Sequence, residues 1–204
     1  QPPANSLYKA NSNPPPEVPL RIMYCNDCST VQLGEDVDPE YLFSSYLWVT
    51  GTSNKAIEYS YDFAKKALNK VDDITKPFVV EIASNDGTFL KRFIESGSKV
   101  LGVDPAKNIA QIAIDNGINT IIDFFSSQVA KQIAKSYQKF DVAIARHMFA
   151  HNEDPAELLL AMSLILDDKG IFLIENAYAI DTFENGEFDQ IYHEHIYFDL
   201  ITIK

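Results

Sequence analysis

Phe78-Val79-Val80-Glu81-Ile82-Ala83-Ser84-Asn85-Asp86-Gly87 decides the fold of this chain. Its first six residues are nearly all apolar, as in a strand buried on both faces of a parallel sheet. The next four form a polar turn ending on glycine, and a helical rhythm over residues 87–96 follows at once. A strand turning tightly into a helix is the first half of a βαβ unit. Working onward, the pattern predicts strands at 99–103, 119–122, 140–145 and 171–175, separated by helices at 106–116, 126–137 and 155–166. Strands alternating with helices in this way make an α/β fold, an open, doubly wound, mostly parallel sheet. Right-handed crossovers then bring the loops at the strand C-termini to one edge, where such sheets bind ligands.

Toward the N-terminus, Ile57, Tyr61, Ala64 and Leu68 recur at helical spacing behind a cap at Ser53, which predicts a helix over 53–69. Residues 21–33 read as two short strands around a Cys25-Asn26-Asp27-Cys28 turn. Before them, Pro2, Pro3, Pro14, Pro15, Pro16 and Pro19 make an extended arm, because proline lacks the N–H donor and disfavours helix at the residue before it. The expected division is an arm with a small N-terminal region over 1–52, a connecting helix over 53–75, and the sheet domain over 76–204. The chain starts at Gln1 without a methionine and stops at Lys204, just after the alternation Leu200-Ile201-Thr202-Ile203, so a piece of a longer protein is expected.

With 204 residues and 46% hydrophobic content, the chain can bury one sizeable core and a small appendage. A net charge of -12 excludes a nucleic-acid backbone binder, which needs a basic face. A nucleotide-sized ligand stays open, since a few backbone N–H groups bind phosphate without net basicity. No apolar run approaches the roughly 20 residues of a membrane span, and no signal peptide opens the chain. A soluble cytoplasmic protein with neither nucleic acid nor membrane as partner is expected. Nothing in the sequence sets the oligomeric state.

The chemistry lies at the predicted strand ends. The loop at 81–87 has one glycine and two acids, where a dinucleotide fingerprint needs three glycines. It suits a ligand with a cationic amino-acid end, such as S-adenosylmethionine with its ammonium and sulfonium; a plain turn capped by Asn85 or Asp86 is the alternative. Asp104, closing Leu101-Gly102-Val103-Asp104-Pro105, stands where an acid accepts ribose hydroxyls, or else caps the next helix. Asp123-Phe124-Phe125 could meet an adenine edge and face, or belong to the core. Arg146-His147-Met148-Phe149-Ala150-His151 brings two histidines to the ligand edge, for proton transfer or for structural hydrogen bonds. The densest cluster is Tyr192-His193-Glu194-His195 with Tyr197. In extended chain His193 and His195 would point one way and Tyr192 and Glu194 the other. The cluster contains a base, an orienting acid and a phenol donor, the parts needed for carbanion chemistry. A metal-binding H-x-H pair and a structural network are the alternatives.

Several motifs together carry a family resemblance. They are Pro3-Ala4-Asn5-Ser6, Cys25-x-x-Cys28 with Val31-Gln32-Leu33, Tyr46-Leu47-Trp48-Val49-Thr50-Gly51, Glu81 to Gly87, Gly102-Val103-Asp104-Pro105, Phe149-Ala150-His151 and Tyr192 to His195. The chain resembles, over nearly its whole length, the sugar C-methyltransferases that act on nucleotide-linked keto-deoxysugars. The resemblance implies a Rossmann-like class I methyltransferase fold, preceded by a zinc-binding region and followed by a C-terminal α/β domain that is absent here. Of the family's two cysteine pairs only Cys25 and Cys28 are present, which implies a partial structural Zn2+ site whose other pair lies upstream. A redox pair is the other reading of C-x-x-C, without the βαβ context it needs.

The cofactor contacts expected are Glu81, Ser84, Asn85, Asp86, Gly87, Asp104, Pro105, Asn108, Asp123 and Phe124. His195 is the expected base, oriented or helped by Tyr192, Glu194 and His151; Tyr46 is a substrate-side candidate, and His193 and Tyr197 are expected substrate contacts. The implied reaction removes a proton beside a ketone, and the enolate carbon then attacks the cofactor methyl. Rival readings are a nicotinamide oxidoreductase or epimerase of nucleotide-sugars, a zinc enzyme using His193 and His195, and a non-catalytic zinc-bearing interaction module. Two positions depart from the family pattern: His147 replaces the usual asparagine, and Asp199 a common serine.

Overall fold

Alternation of buried strand and amphipathic helix becomes a five-stranded sheet in the computed structural model of the chain. The structure describes residues 2–4, 6–7, 11, 13–71 and 73–198; Asn5, Asp199 and the 200–203 alternation lie outside them. One unit comprises Gln1–Leu42, His147–Glu153 and Glu175–Lys204, and a second comprises Phe43–Arg146 and Asp154–Ile174.

In the first unit β1 (Ile22–Tyr24) pairs antiparallel with β2 (Val31–Leu33), as the sequence pattern predicts. The Cys25–Cys28 turn joins them, with Cys25 N–H donating to Thr30 O at 2.9 Å and Ser29 N–H to Cys25 O at 2.9 Å. A short helix, α1 (Pro39–Phe43), follows.

The second unit opens with α2 (Asn54–Leu68), capped as expected by Ser53, whose hydroxyl accepts from Ala56 N–H. Next come β3 (Phe78–Ile82), α3 (Thr88–Glu95), β4 (Lys99–Val103), α4 (Lys107–Asp115), β5 (Thr120–Ile121), α5 (Ser127–Ser136), β6 (Phe140–Arg146), α6 (Pro155–Ile165) and β7 (Leu166–Glu175). The sheet order is β5-β4-β3-β6-β7, and β3 pairs parallel with both β4 and β6. The chain thus starts mid-sheet, runs outward to β5, and returns to the other side of β3 as β6. That reversal beside β3 is the switch point at which open α/β sheets bind ligands. Every residue of β3 is buried, which explains its unbroken apolar sequence. Val79, Val142 and Ile144 from the sheet pack with Leu90, Phe93, Ala64 and Ala67 from the helices.

Two strands differ from expectation. The strand β5 has two residues rather than four, and Ile122 is 38% exposed just past its end. Conversely, β7 begins at Leu166, five residues before the predicted start at 171. Its early part is the exposed run Asp167-Asp168-Lys169. Strand pairing uses backbone groups, so exposed polar side chains leave no apolar pattern to detect.

The first unit is completed by α7 (Ala179–Glu184), a 3-10 turn at Phe188–Gln190, and β8 (Tyr197–Phe198). There β8 runs antiparallel to β2 with Phe198 opposite Val31, and Val31, Ala179 and Phe198 form a small core. Among the described residues no helix is long and apolar enough to cross a membrane.

Candidate active site

The turn after β3 is held in uncommon backbone conformations. Ala83, Asn85 and Gly87 have φ of 55°, 52° and 77°. Left-handed backbone is costly for residues with a Cβ, and such strain concentrates at ligand sites. At residue 87 a Cβ would come within 2.3 Å of Ile118 Cδ1, so a side chain there adds a clash to the left-handed backbone.

Glu81 is buried at the head of this loop and meets Arg146 Nε at 3.1 Å, while the Arg146 guanidinium lies over the Phe89 ring. Burial pushes the Glu81 carboxyl up to about 7; Arg146 pulls it back, and Asp104 and Asp86 push it further. Its Oε2 and the Ser84 hydroxyl are both buried without a hydrogen-bond partner among the described residues. A buried acceptor left unsatisfied costs about 1–3 kcal/mol. An orphaned carboxylate oxygen and hydroxyl, with two further acids near by, fit the ammonium and hydroxyls of S-adenosylmethionine.

Asp104 is already a local brace. Its Oδ2 accepts from Asn85 N–H at 2.8 Å and its Oδ1 from Ala106 N–H at 2.9 Å. Burial raises its carboxyl above the ordinary range, and these two bonds oppose the shift. A carboxylate has about four acceptor directions, so two remain for a ligand.

Other expected cofactor residues are engaged elsewhere. Asn85 Oδ1 accepts from Thr50 N–H at 2.9 Å and its Nδ2 donates to Trp48 O at 3.0 Å. Asp86 accepts from Gly51 N–H at 2.8 Å and from Thr88 N–H at 3.1 Å. Asn108 Oδ1 accepts from Tyr46 N–H at 3.0 Å and its Nδ2 donates to Tyr46 O at 2.7 Å. Residues 46–51 thus lie against the turns after β3 and β4, a juxtaposition that no local spacing could reveal. Asp123 is exposed and accepts from Phe124 N–H at 2.8 Å; Phe124 and Pro105 are half-buried.

A second cluster belongs to the other unit. His193, Glu194 and His195 are all buried. His195 Nδ1 lies 2.7 Å from Gln190 O, and its Nε2 lies 3.0 Å from the Tyr192 hydroxyl. A carbonyl only accepts, so Nδ1 carries the proton and Nε2 receives the hydrogen bond of the phenol. The His151 ring centroid is 5.1 Å from that of His195. Burial, reinforced by His195 and His147, pulls His151 down to about 3. Burial also lowers His195, against the Gln190 bond. It raises the Tyr192 phenol, with Glu194 adding to the effect. Both imidazoles are therefore neutral at pH 7 and the phenol keeps its proton.

The extended reading of 192–195 is corrected here. His195 N–H donates to Tyr192 O at 3.0 Å, closing a turn that brings those two side chains together. His193 Nε2 instead reaches Val18 O at 3.1 Å and Pro19 O at 3.2 Å on the arm. The Tyr197 hydroxyl donates to Phe149 O. Both ring nitrogens of His195 and one of His193 are thus engaged by protein groups. Among the described residues no group of three or more His, Cys, Asp or Glu is disposed to hold a metal. His147 has φ of 51° and bonds Glu175 through both its N–H and its ring. Histidine, like asparagine and aspartate, is among the side-chain-bearing residues that tolerate left-handed backbone.

Cys25 is half-buried and Cys28 exposed, with no disulfide between them. The Cys28 thiol is lowered by its hydrogen bond to Thr30 Oγ1, at 3.1 Å, and further by Cys25. Two such thiols match half of a tetrahedral zinc site.

An acidic, glycine-poor loop at the switch point of a sheet in this order defines the Rossmann-like class I methyltransferases. A family model described as "Methyltransferase domain" matches residues 57–203, and one described as "Putative zinc binding domain" matches residues 1–43. The chain belongs to the methyltransferase family. It is 33% identical over 183 residues to C-methyltransferase NovU of Streptomyces niveus, covering 89% of this chain and 44% of that protein. The chain therefore spans less than half the length of this relative. The plantazolicin methyltransferase BamL, solved with a triazolic desmethylPZN analog and SAH, has the same fold at a TM-score of 0.53 and 16% identity, over 66% of this chain and 51% of its own. A SAM-dependent methyltransferase from Archaeoglobus fulgidus gives a TM-score of 0.51 and 19% identity, over 70% and 63% of the two chains.

Proposed function

We propose that the chain is the cofactor-binding core of an S-adenosylmethionine-dependent C-methyltransferase acting on a nucleotide-linked keto-deoxysugar. The observation that carries this is the buried Tyr192–His195 pair, a neutral imidazole whose Nε2 faces a phenol. The similarity to NovU supports carbon as the methylated atom. When bound, S-adenosylmethionine supplies an electrophilic methyl on a sulfonium leaving group. Glu81 and Ser84 would hold its ammonium end, Asp104 its ribose, and Asp123 and Phe124 its adenine. Pro105 and Gly87 shape the turns after β4 and β3. Cys25 and Cys28 would contribute two thiolates to a structural zinc.

The imidazole of His195 accepts, at Nε2, the proton of the carbon beside the ketone, and the C–H electron pair passes into the enolate. Nε2 becomes available as the Tyr192 hydroxyl turns from it to donate to the developing enolate oxygen. With the cofactor bound, the enolate carbon would form its new C–C bond to the methyl group as the S–CH3 electron pair stays on sulfur, leaving neutral S-adenosylhomocysteine; the imidazolium would release its proton to solvent. Low imidazole basicity keeps His195 unprotonated at neutral pH, as a general base requires. Glu194 and His151 hold the pair in its buried setting, and Tyr46 is the substrate-side candidate of the sheet unit. His193 and Tyr197, engaged by backbone carbonyls, support the segment.

Exchange of solvent deuterium into the sugar, with S-adenosylhomocysteine in place of the methyl donor, isolates the first step. His195→Ala should slow exchange about 10²- to 10⁴-fold, the usual loss of a general base, with cofactor affinity preserved. Wild-type exchange in His195→Ala, with loss in His151→Ala or Glu194→Ala, reassigns the base. If none of the three variants alters exchange, the enolate route is wrong.

A further inference from the structure

The segment Tyr46–Gly51 is held by polar clips at several points, with Thr50 buried and the Tyr46 ring 6.1 Å from that of Phe43. Leu47 and Trp48 are 50% and 54% exposed, so little apolar contact anchors them. Instead, one amide side chain clamps Tyr46 at both its N–H and its C=O, through Asn108 Oδ1 at 3.0 Å and Nδ2 at 2.7 Å. Next to this clamp, Lys107 N–H donates to Ser44 O at 3.3 Å. That bond matters because α4 has no side-chain N-cap of its own: its cap position is Ala106. Downstream, Asn85 clips Trp48 and Thr50, and Asp86 clips Gly51.

The geometry points to Asn108 as a positioning residue for Tyr46, in place of the cofactor contact its position in sequence suggests. One N–H and one oxygen lone pair of the amide are taken by a single residue's backbone, which fixes the orientation of the side chain against Tyr46. A clamp at N–H and C=O of the same residue sets the rotation of that stretch of backbone and so the direction in which the phenol leaves it. The other clips come from Asn85 and Asp86, on the turn after β3, and they hold Trp48, Thr50 and Gly51 rather than Tyr46, which leaves Asn108 as the side chain that clamps Tyr46 itself. The catalytic part of this inference rests on the reading of Tyr46 as a substrate-facing group; the positioning part does not.

Trp48 is the sole tryptophan of the chain and sits two residues from the clamp, so its emission reports the segment directly. In Asn108→Ala, acrylamide quenching of Trp48 should rise at least about two-fold, as collision access follows loosened backbone. Affinity for S-adenosylhomocysteine by calorimetry should stay within about two-fold, since no cofactor hydrogen bond is lost. A ten-fold weaker affinity with unchanged quenching would overturn the inference and return Asn108 to the cofactor. Asn108→Asp, which keeps the acceptor for Tyr46 N–H, should fall between wild type and alanine in quenching; it also decides the matter if the alanine variant does not fold. Turnover of a nucleotide-linked keto-sugar gives the catalytic arm. Asn108→Ala should lower kcat and leave KM for S-adenosylmethionine unchanged, and combined with Tyr46→Phe it should lose no more than Tyr46→Phe alone. Full additivity of the two losses would show that Asn108 does not act through Tyr46. If wild type turns over no keto-sugar, the substrate reading fails, while the quenching result still decides the positioning.

Discussion

Glu81 carries the sharpest pH prediction. Its carboxyl is lifted to about 7 by burial, so below that value the loop presents a neutral acid. A cationic amino group binds the carboxylate form, whose share rises from about a tenth at pH 6 to about nine-tenths at pH 8. Affinity for S-adenosylhomocysteine should therefore rise about ten-fold over that interval and level off above it. Calorimetry across this range, repeated with Glu81→Gln, checks the claim; a flat wild-type profile removes Glu81 from the ammonium site. The sign for stability runs the other way. A carboxyl raised on folding stabilises most below its unfolded value and loses that contribution as pH climbs toward 7. Residue types were legible in this loop from the sequence, since acids and a single glycine speak of ligand charge. What each side chain touches was not, as Asn85, Asp86 and Asn108 show.

At the scale of elements, helices and central strands follow the apolar period closely, because amphipathicity is a local property and burial rewards it. The helix predicted at 126–137 is α5 (Ser127–Ser136), with Ser126 accepting from Val129 N–H as its cap. Both edge strands lie where the pattern predicts, with different bounds: the start of β7 is polar and β5 is held by two residues. The turn between β3 and α3 is the element most sensitive to change. Gly87 combines φ of 77° with a Cβ direction that runs into Ile118. Gly87→Ala should destabilise by about 2–4 kcal/mol, adding left-handed strain to overpacking. A urea midpoint shift at unchanged slope measures it, and a shift under 1 kcal/mol would mean that the turn relaxes around the methyl group.

For the whole molecule, the prediction concerns metal. On the proposed reading Cys25 and Cys28 would be two donors of a four-donor structural zinc, and two thiols alone should bind zinc weakly and in loose stoichiometry. Elemental analysis after dialysis should find well under one zinc per chain, and Cys25→Ser should remove what remains. One tightly held zinc that survives Cys25→Ser would place the site elsewhere. Sequence alone determined the alternating α/β plan, the acidic loop at a strand end, and the presence of a base, an acid and a phenol in one short string. These are properties of neighbouring residues, and periodicity and composition record them. Tertiary structure decided which groups meet. Tyr46 and Asn108 are 62 residues apart, Asn85 and Thr50 are 35 apart, and His193 bonds Val18 from 175 residues away. Even within Tyr192–His195, one backbone hydrogen bond bends the chain and exchanges which side chains face each other. A side chain's chemistry is written in its type, but its partner depends on what the folded backbone brings within about 3 Å of it.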